Sequence, residues 1–314
     1  MLAFKLGSPP PPLLLPSLTQ AKKCGRFGVF AGKCKTGAGR AGSDGGFPPF
    51  LPKEVEKIKD PFARSLAQRI ERLPVKVGFS ESCIMSSCVK PLIQSETNPV
   101  VLLHCFDSSC LEWRCTYPLL EEAGLEVWAI DVLGWGFSDL ERLPPCDAAS
   151  KRHHLYQVEK LVLINASVYA EGTGALARLP RSVAYAGVYL LKSIPLRLYA
   201  NILAFNGISL ATSLDWTNVG RLHCLLPWWE DATINFMSSG GYNVIAQINQ
   251  LKQKSLLICG ECDQIVNYKQ VVRLHCELQD AIMRLIPDCG HLPHVDKPSS
   301  VAKLIAEFSQ GDCH

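Results

Sequence analysis

Continuous apolar runs of strand length alternate with amphipathic stretches along the body of the chain. Val100–Phe106 and Leu125–Val132 are apolar throughout most of their length, as expected of strands buried on both faces. Further strand candidates are Val75–Phe79, Cys83–Val89, Leu161–Asn165, Ser255–Cys259 and Ile282–Ile286. Because helical segments lie between these runs, the pattern predicts an α/β fold with a mostly parallel sheet and helices on both faces.

Helix signals occur on both sides of the first strands. Asp60-Pro61 has the residues of a helix start, and apolar residues then recur at helical spacing until Pro74. The predicted apolar face of this helix consists of Phe62, Leu66, Ile70 and Leu73. Leu111–Ala123 and Ser299–Phe308 are predicted to be helical as well.

The strand–helix alternation stops between Val168 and Gln250, where helical and aromatic segments take over. We interpret residues 168–250 as an inserted helical lid, and its tryptophans as core packing: Trp216, Trp228 and Trp229. The lid divides the predicted core into a first part, 75–167, and a last part, 251–314. Residues 44–74 are predicted to form a linker and the N-terminal helix.

The N-terminal segment differs in charge from the rest of the chain. Residues 1–43 hold seven basic residues and no acidic one, and they are rich in glycine, proline and hydroxyl side chains. This composition is typical of an organelle transit peptide, the alternative being a disordered tail without an address. The proline-rich start favours the chloroplast over the mitochondrion. The remaining 25 Lys and Arg face 29 Asp and Glu, which argues against a nucleic-acid partner.

Membrane-spanning segments and disulfides are not expected. A transmembrane helix needs about 18 apolar residues, and the longest apolar-rich region, Val183–Phe205, is interrupted by Lys192, Pro195 and Arg197. Fourteen cysteines occur without a secretory signal peptide, so we expect most of them to be reduced. Cys259 and Cys262 form a Cys-x-x-Cys with His275 nearby, but no fourth ligand follows, so no metal site is predicted.

An acid and a histidine follow the last two strand candidates. Asp263 comes after Ser255–Cys259, and His291 comes after Ile282–Ile286. Ligands of an open parallel sheet bind at the carboxyl ends of its strands. A carboxylate that orients an imidazole, which then accepts a proton, is the pair that a nucleophilic triad needs.

These residues belong to a set of motifs that resembles the α/β-hydrolase superfamily, in particular plant chloroplast-type members close to epoxide hydrolases and serine esterases. The resemblance covers about residues 75–310 and rests on five motifs in the family's order: His104 after a buried strand, Gly134-Trp-Gly136-Phe-Ser138, Val158–Asn165, Asp263, and the Gly290–Pro298 loop with His291. It implies an α/β-hydrolase fold with the lid between the family's sixth and seventh strands.

The resemblance also implies site residues and chemistry. Asp263 and His291 are the expected triad acid and base, and His104 and Phe106 are expected in the oxyanion turn, where the backbone N–H of Phe106 is a donor. Cys105 stands where the family has glycine. The implied activity is hydrolysis of an ester, epoxide or similar bond in a small apolar or ester-type substrate, without metal or organic cofactor. The oligomeric state is left open.

The chain departs from the family at the nucleophile. No Ser, Asp or Cys between Ser138 and Val158 has a Gly-x-Ser-x-Gly context, and the nearest spelling, Ala41–Gly45, follows no strand. By the usual lengths of such elements, about 30–40 residues are missing at Gln157–Val158, including the family's fifth strand. We call that strand the elbow strand. The clean ends of the gap are typical of a truncated isoform from a skipped exon, or of a gene-model deletion.

Three hypotheses remain for the activity of this chain. The first is an inactive truncated product, and the second is a non-catalytic module that binds a small molecule. The third is an active hydrolase with an unrecognised nucleophile, although Ser108, Ser138 and Ser167 are more typical of turn residues. Because the nucleophile itself is not found, ester chemistry and epoxide chemistry cannot be separated.

Overall fold

The computed structural model describes residues 46–76, 83–94, 98–141, 143–152, 159–169, 180–240 and 244–311. The predicted transit peptide at residues 1–43 lies outside the described residues. So do the end of the predicted strand Val75–Phe79 and the junction at Gln157–Val158.

The described strands form two sheets. The first is mixed and has the order β1-β2-β4-β3, and the second is parallel and has the order β5-β6-β7. Three of the five pairings between these strands are parallel, so the predicted mostly parallel α/β architecture is confirmed. The strands are β1 Ile70–Lys76, β2 Cys83–Val89, β3 Val100–Leu103, β4 Val127–Ile130, β5 Lys160–Ile164, β6 Lys254–Gly260 and β7 Ala281–Ile286.

The α-helices are grouped below by the predicted domains, as core helices and as helices of the predicted lid, residues 168–250. The core helices are α1 Pro61–Gln68, α2 Tyr117–Glu122, α3 Ala148–Arg152, α9 Tyr268–Glu277, α10 Pro293–Asp296 and α11 Pro298–Gln310. The lid helices are α4 Arg181–Leu191, α5 Ile194–Ala204, α6 Leu210–Arg221, α7 Trp229–Ser238 and α8 Ile245–Ile248. Among the described residues, no helix has both the length and the apolar character needed to cross a bilayer.

One predicted helix ends earlier than the pattern indicates, and another is divided into two segments. The helix starting at Asp60-Pro61 stops at Gln68, because Ile70 to Lys76 pairs along its whole length with β2. Tertiary pairing thus overrides the helical spacing of Ile70 and Leu73. The predicted helix Leu111–Ala123 splits into a 3₁₀ turn at Cys110–Trp113 and α2. Pro118 explains the break, since its ring has no N–H and would clash with a preceding helical turn.

Among the described strands, none is hydrogen-bonded to both β3 and β5. β3 is the last strand of the first sheet and β5 is the first of the second, and β5 is not hydrogen-bonded to β3. Both sheets nevertheless contribute to one hydrophobic core, which contains Leu102 of β3, Ala129 of β4, Ile164 of β5 and Ile258 of β6. The two sheets are therefore held together by side-chain packing and not by a continuous backbone ladder.

Candidate active site

Asp263 and His291 form a hydrogen-bonded pair at the carboxyl ends of β6 and β7. His291 Nδ1 lies 2.8 Å from Asp263 Oδ2, and the side chains are 18% and 5% exposed, respectively. The other carboxylate oxygen, Oδ1, accepts the backbone N–H groups of Ile265 at 2.7 Å and Val266 at 3.0 Å. These contacts hold the carboxylate in one orientation, so that it fixes the plane of the imidazole ring.

The pair favours one tautomer of His291. An ionised carboxylate only accepts hydrogen bonds, so Nδ1 of the imidazole carries the proton that it donates to Asp263. The lone pair then lies on Nε2, which is the atom a general base uses. The backbone N–H of His291 donates to Ala204 O of the lid at 2.6 Å, so helix α5 contributes to the position of the histidine loop.

Asn165, directly after β5, joins the acid loop to the histidine loop. Its amide donates to Gly290 O at 3.1 Å and to His291 O at 2.9 Å, and it accepts the Gly260 N–H at 3.1 Å. The two loops approach so closely that a Cβ at Gly260 would lie 2.1 Å from Gly290 O. Only glycine therefore fits at position 260 without displacing one loop from the other.

His104 is a buried anchor of the predicted oxyanion turn. Its Nε2 accepts the backbone N–H of Val132 at 2.9 Å, so its proton is on Nδ1, which lies 2.7 Å from Cys105 O. Burial lowers the pKa of His104. A neutral ring therefore ties the turn after β3 to the turn after β4.

The turn after β4 is the Gly-x-Gly-x-Ser motif. Asp131 of this turn is fully buried and accepts the backbone N–H groups of Cys110 at 2.6 Å and Phe137 at 2.8 Å. Gly136 has a φ of +69°, and a Cβ there would lie 1.9 Å from Asp131 Cγ. Glycine is thus required at position 136 because the backbone there packs directly against this buried carboxylate.

Cys105 is held by Glu112 and not by a left-handed turn. Its backbone N–H donates to the Glu112 carboxylate at 3.2 Å, and its thiol donates to the same carboxylate at 2.9 Å. His294 Nε2 lies 3.0 Å from Oε1 of the same carboxylate. Burial opposes ionisation of Glu112, but the hydrogen bond and charge of His294 outweigh it and hold the pKa of Glu112 well below its usual range.

Asp107 links the predicted oxyanion turn to the lid. Its φ is +52°, and its carboxylate bonds to Arg197 of α5, to His223 Nε2 at 3.0 Å and to Trp229 Nε1 at 2.7 Å. Burial raises the pKa of this carboxyl, but His223 and Arg197 outweigh that effect and lower it overall. Three separate lid segments are therefore anchored on one side chain beside Phe106.

The same cluster contains the one group of metal-ligand residues within the described chain. Asp107, His223 and Cys224 offer ligand atoms that all lie within 4.8 Å of one another. Arg197 Nη2 bonds to Asp107 and lies 2.9 Å from Cys224 Sγ, so a guanidinium already supplies the positive charge. The cluster is best described as a lid contact.

The other residues that the sequence analysis named are held by packing and hydrogen bonds within the fold. Ser138 is buried, and its hydroxyl accepts the Ser87 N–H at 3.0 Å. Cys259 is buried in β6, and burial raises the pKa of its thiol to about 11. The Phe106 ring packs edge-on against Trp135 at 5.1 Å. The lid tryptophans Trp216 and Trp229 are half-buried and buried, respectively, in hydrophobic clusters.

Three residues of the site were not identified from the sequence. Asn165, Asp107 and Glu112 act through partners that lie far along the chain. The one local signal is position, because Asn165 and Asp107 each follow a buried strand closely. Both also have positive φ, which Asn and Asp tolerate better than most residues.

A protein-family profile and a plant relative both match this chain. The profile of the alpha/beta hydrolase family matches residues 100–304. The chain is 58% identical over 301 residues to the alpha/beta hydrolase domain-containing protein VTE7 of Arabidopsis thaliana, and the match covers 85% of this chain and 91% of that protein.

Solved structures of similar fold are more distant in sequence. A bromoperoxidase from Bacillus anthracis superposes with a TM-score of 0.59 at 14% identity, over 76% of this chain and 100% of that one. A probable hydrolytic enzyme from Pseudomonas aeruginosa gives 0.58 at 21% identity, over 76% and 93%. A thermophilic esterase from Thermogutta terrifontis gives 0.58 at 16% identity, over 77% and 99%. With the family match over most of the described core, the chain belongs to the alpha/beta hydrolase family.

Proposed function

We propose that this chain derives from a hydrolase of esters or similar bonds, and that it does not turn over substrate because the nucleophile elbow is absent. Asp263 is the triad acid and His291 is the base. His104 and Phe106 belong to the oxyanion turn. The chain retains the positioning groups of a triad without the atom that would attack the substrate. The parent substrate is a small apolar or ester-type molecule, and no metal or organic cofactor is required.

The separation of the two sheets is the observation that carries this proposal. The elbow strand of the family pairs with a neighbouring strand on each side. β3 and β5 are each the terminal strand of a sheet, and no described strand pairs with both of them. The sequence before Val158 offers no alternative strand followed by a nucleophile in a tight turn. An elbow between β3 and β5 would face both His291 and the oxyanion turn.

The match with the Arabidopsis relative supports an internal gap of this size. It runs over 301 aligned positions, whereas 85% of the 314-residue chain is about 267 residues, so about 34 positions have no counterpart here. That figure falls within the length expected for a helix, the elbow strand and the elbow itself. The proposal places these positions at Gln157–Val158, where the sequence lacks about one βα unit.

A reactive serine is tested by fluorophosphonate labelling of the full chain, read by intact mass, with circular dichroism on the same sample. We expect no adduct. A single adduct that disappears in His291→Ala would refute the proposal and identify an unrecognised serine nucleophile. Saturable binding of an apolar ester by folded but unlabelled protein would favour the non-catalytic binding module.

Restoring the missing unit is the sharper test. One variant carries, between Gln157 and Val158, the residues that the Arabidopsis relative has at this place, and a matched variant carries a Gly/Ser linker of equal length. We expect hydrolysis of p-nitrophenyl esters or of an epoxide by the first variant alone. His291→Ala in that background should lower kcat by about 10³-fold or more. Equal inactivity of both insertion variants would count against Asp263 and His291 as an intact acid–base pair.

We also propose that residues 1–43 direct the protein to the chloroplast. The proposal rests on their basic, acid-free and proline-rich composition, and the 58% identical relative is a plant protein. A fusion of residues 1–43 to a fluorescent protein should enter isolated chloroplasts and lose the segment. Uptake by mitochondria, or no uptake at all, would contradict this address.

A further inference from the structure

Two cysteines, Cys262 and Cys289, are in backbone contact next to the Asp263–His291 pair. Cys262 directly precedes Asp263 in the acid loop, and Cys289 stands two residues before His291 in the histidine loop. The backbone N–H of Cys262 donates to Cys289 O at 2.8 Å. Both side chains are free thiols in this structure. Each of the two loops that hold the proposed acid and base therefore carries a thiol where the loops meet.

The separation of the two backbones suits a disulfide. The Cα atom of Cys262 is one bond from the donor nitrogen, and the Cα atom of Cys289 is two bonds from the acceptor oxygen. With a hydrogen bond of 2.8 Å between nitrogen and oxygen, these Cα atoms are at most about 6.7 Å apart. Disulfides join cysteines whose Cα atoms are about 4.4–6.8 Å apart. The present fold therefore permits a bond between the two sulfur atoms.

The charge of Cys262 acts on Cys289 and not on Cys259, the other cysteine of the Cys-x-x-Cys. Burial raises the pKa of Cys289 to about 12, and the charges of Asp296 and Cys262 add to that shift. Burial and then the charge of Asp263 raise the pKa of Cys259. The Cys262 thiol is therefore an electrostatic neighbour of Cys289.

Packing also separates Cys259 from Cys289. Cys259 belongs to a small hydrophobic cluster with Val271 of α9, whereas Cys289 belongs to the main core with Val301 of α11. The acid loop and the histidine loop are in close contact, because a Cβ at Gly260 would lie 2.6 Å from Cys289 O. These contacts favour Cys289 over Cys259 as the partner of Cys262.

The two thiols differ in their access to solvent. Cys262 is half-buried, whereas Cys289 is fully buried. An oxidant in solution therefore reaches Cys262 first. The Asp296 carboxylate is hydrogen-bonded to the Cys289 thiol and also accepts the backbone N–H of Gly290 at 3.0 Å. A base that can accept the proton of Cys289 is thus held in place beside it.

We propose that Cys262 and Cys289 are a modification site at which hydrogen peroxide forms a reversible disulfide. The Cys262 sulfur attacks the peroxide, the O–O bond breaks, and the sulfur becomes a sulfenic acid as one water leaves. The Cys289 sulfur then attacks this sulfur, so that an S–S bond forms and the S–O bond breaks. The released hydroxide leaves as a second water with the Cys289 proton, which passes through Asp296.

Two thiols thus lose two electrons to one peroxide, and a dithiol reductant reverses the reaction by thiol–disulfide exchange. The bond would join the acid loop covalently to the histidine loop. This inference is independent of whether the chain catalyses a reaction.

Peptide mapping of the full chain tests this proposal. The protein is treated with hydrogen peroxide, the remaining thiols are alkylated, and tryptic peptides are compared with and without dithiothreitol. We expect the peptide of residues 255–269 to be linked to that of residues 285–303, and dithiothreitol to separate them. The link should persist in Cys259→Ser, whose residue lies in the same peptide as Cys262. It should disappear in Cys262→Ser.

Thermal unfolding gives a second measurement. A disulfide restricts the unfolded chain, so we expect oxidation to raise the melting temperature of the wild type by about 5 °C or more. The matched control, Cys276→Ser, changes an exposed cysteine of α9 and should keep this shift. Cys262→Ser should lose it.

Three results would overturn the proposal. The first is the absence of linked peptides in wild-type protein whose exposed Cys276 is oxidised under the same conditions. The second is a bond within residues 255–269, or a link that Cys259→Ser abolishes, since either would assign the bond to Cys259. The third is a link that occurs only in a covalent dimer. Circular dichroism checks each variant, and Cys262→Ala replaces Cys262→Ser if that one does not fold.

Discussion

Replacing Asn165 tests how the acid loop and the histidine loop are held together. In the native structure one amide serves three backbone groups: Gly260 N, Gly290 O and His291 O. Asn165 is 4% exposed, so water does not readily replace these contacts. Asn165→Ala removes all three hydrogen bonds at once. It also places alanine, which has a Cβ but lacks the polar side chain that helps Asn to tolerate positive φ, at a φ of +41°.

The expected loss of stability follows from these two effects. A buried polar group left without a partner costs about 1–3 kcal/mol, and the three groups share one local environment, so their costs do not simply add. The left-handed backbone adds about 1 kcal/mol for alanine but not for glycine. We therefore expect Asn165→Ala to lower the free energy of unfolding by about 3–5 kcal/mol. Asn165→Gly should lower it by about 1 kcal/mol less.

Urea unfolding followed by tryptophan fluorescence and far-ultraviolet circular dichroism gives both values. The pair of variants separates the contribution of the amide, which both lose, from that of the backbone, which glycine retains. A loss below about 1 kcal/mol in both variants would refute the reasoning, since it would mean that the two loops are held in place without Asn165. Equal losses in both would show that the positive φ stores no strain.

Three further predictions concern the lid, pH and the loops. Asp107→Ala should cost about 3–5 kcal/mol and expose the lid to limited proteolysis, because Arg197 loses its buried partner, whereas Asp107→Asn should cost less. The lowered pKa of His104 means that its neutral form stabilises the fold above a pH of about 6.5, and that this stability is lost as the pH falls toward the folded-state pKa. Urea titrations between pH 7 and pH 5 should show that loss in the wild type and a smaller one in His104→Gln. Gly260→Ala should lower the melting temperature through a loss of about 1–3 kcal/mol, since its Cβ meets backbone and not a flexible side chain.

The sequence identifies the core of this fold well because buried parallel strands are nearly continuous apolar runs. The predicted strands Val100–Phe106 and Ser255–Cys259 agree with β3 and β6 to within a few residues. The approach of Asp263 to His291 follows from the same pattern, since neighbouring parallel strands end at one edge of the sheet. The helical spacing of Ile70 predicts a helix, and only its pairing with Val89 shows that it begins a strand.

Contacts between distant parts of the chain could not be derived in the same way. Asp107 meets His223 and Trp229, more than one hundred residues further along, and no local pattern marks such partners. Glu112 lies in the predicted helix Leu111–Ala123, where a charged residue is expected to face water. It is instead buried, with Cys105 and His294 as its partners. A buried carboxylate is recognised from its partners, and these are set by tertiary packing.

The proposed loss of the elbow strand would affect the two halves of the proposed site differently. The acid–base half is held by contacts of the second sheet and the lid, through Asn165, Gly260 and Ala204, and none of these contacts involves the elbow strand. The oxyanion half is held by His104 within the first sheet. Among the described residues no strand is paired with both β3 and β5, so packing in the shared core, together with the predicted lid, sets the distance between the halves. Because a displacement of about 1 Å can already reduce catalysis about 10²-fold, each half can retain its own geometry while the complete site is lost.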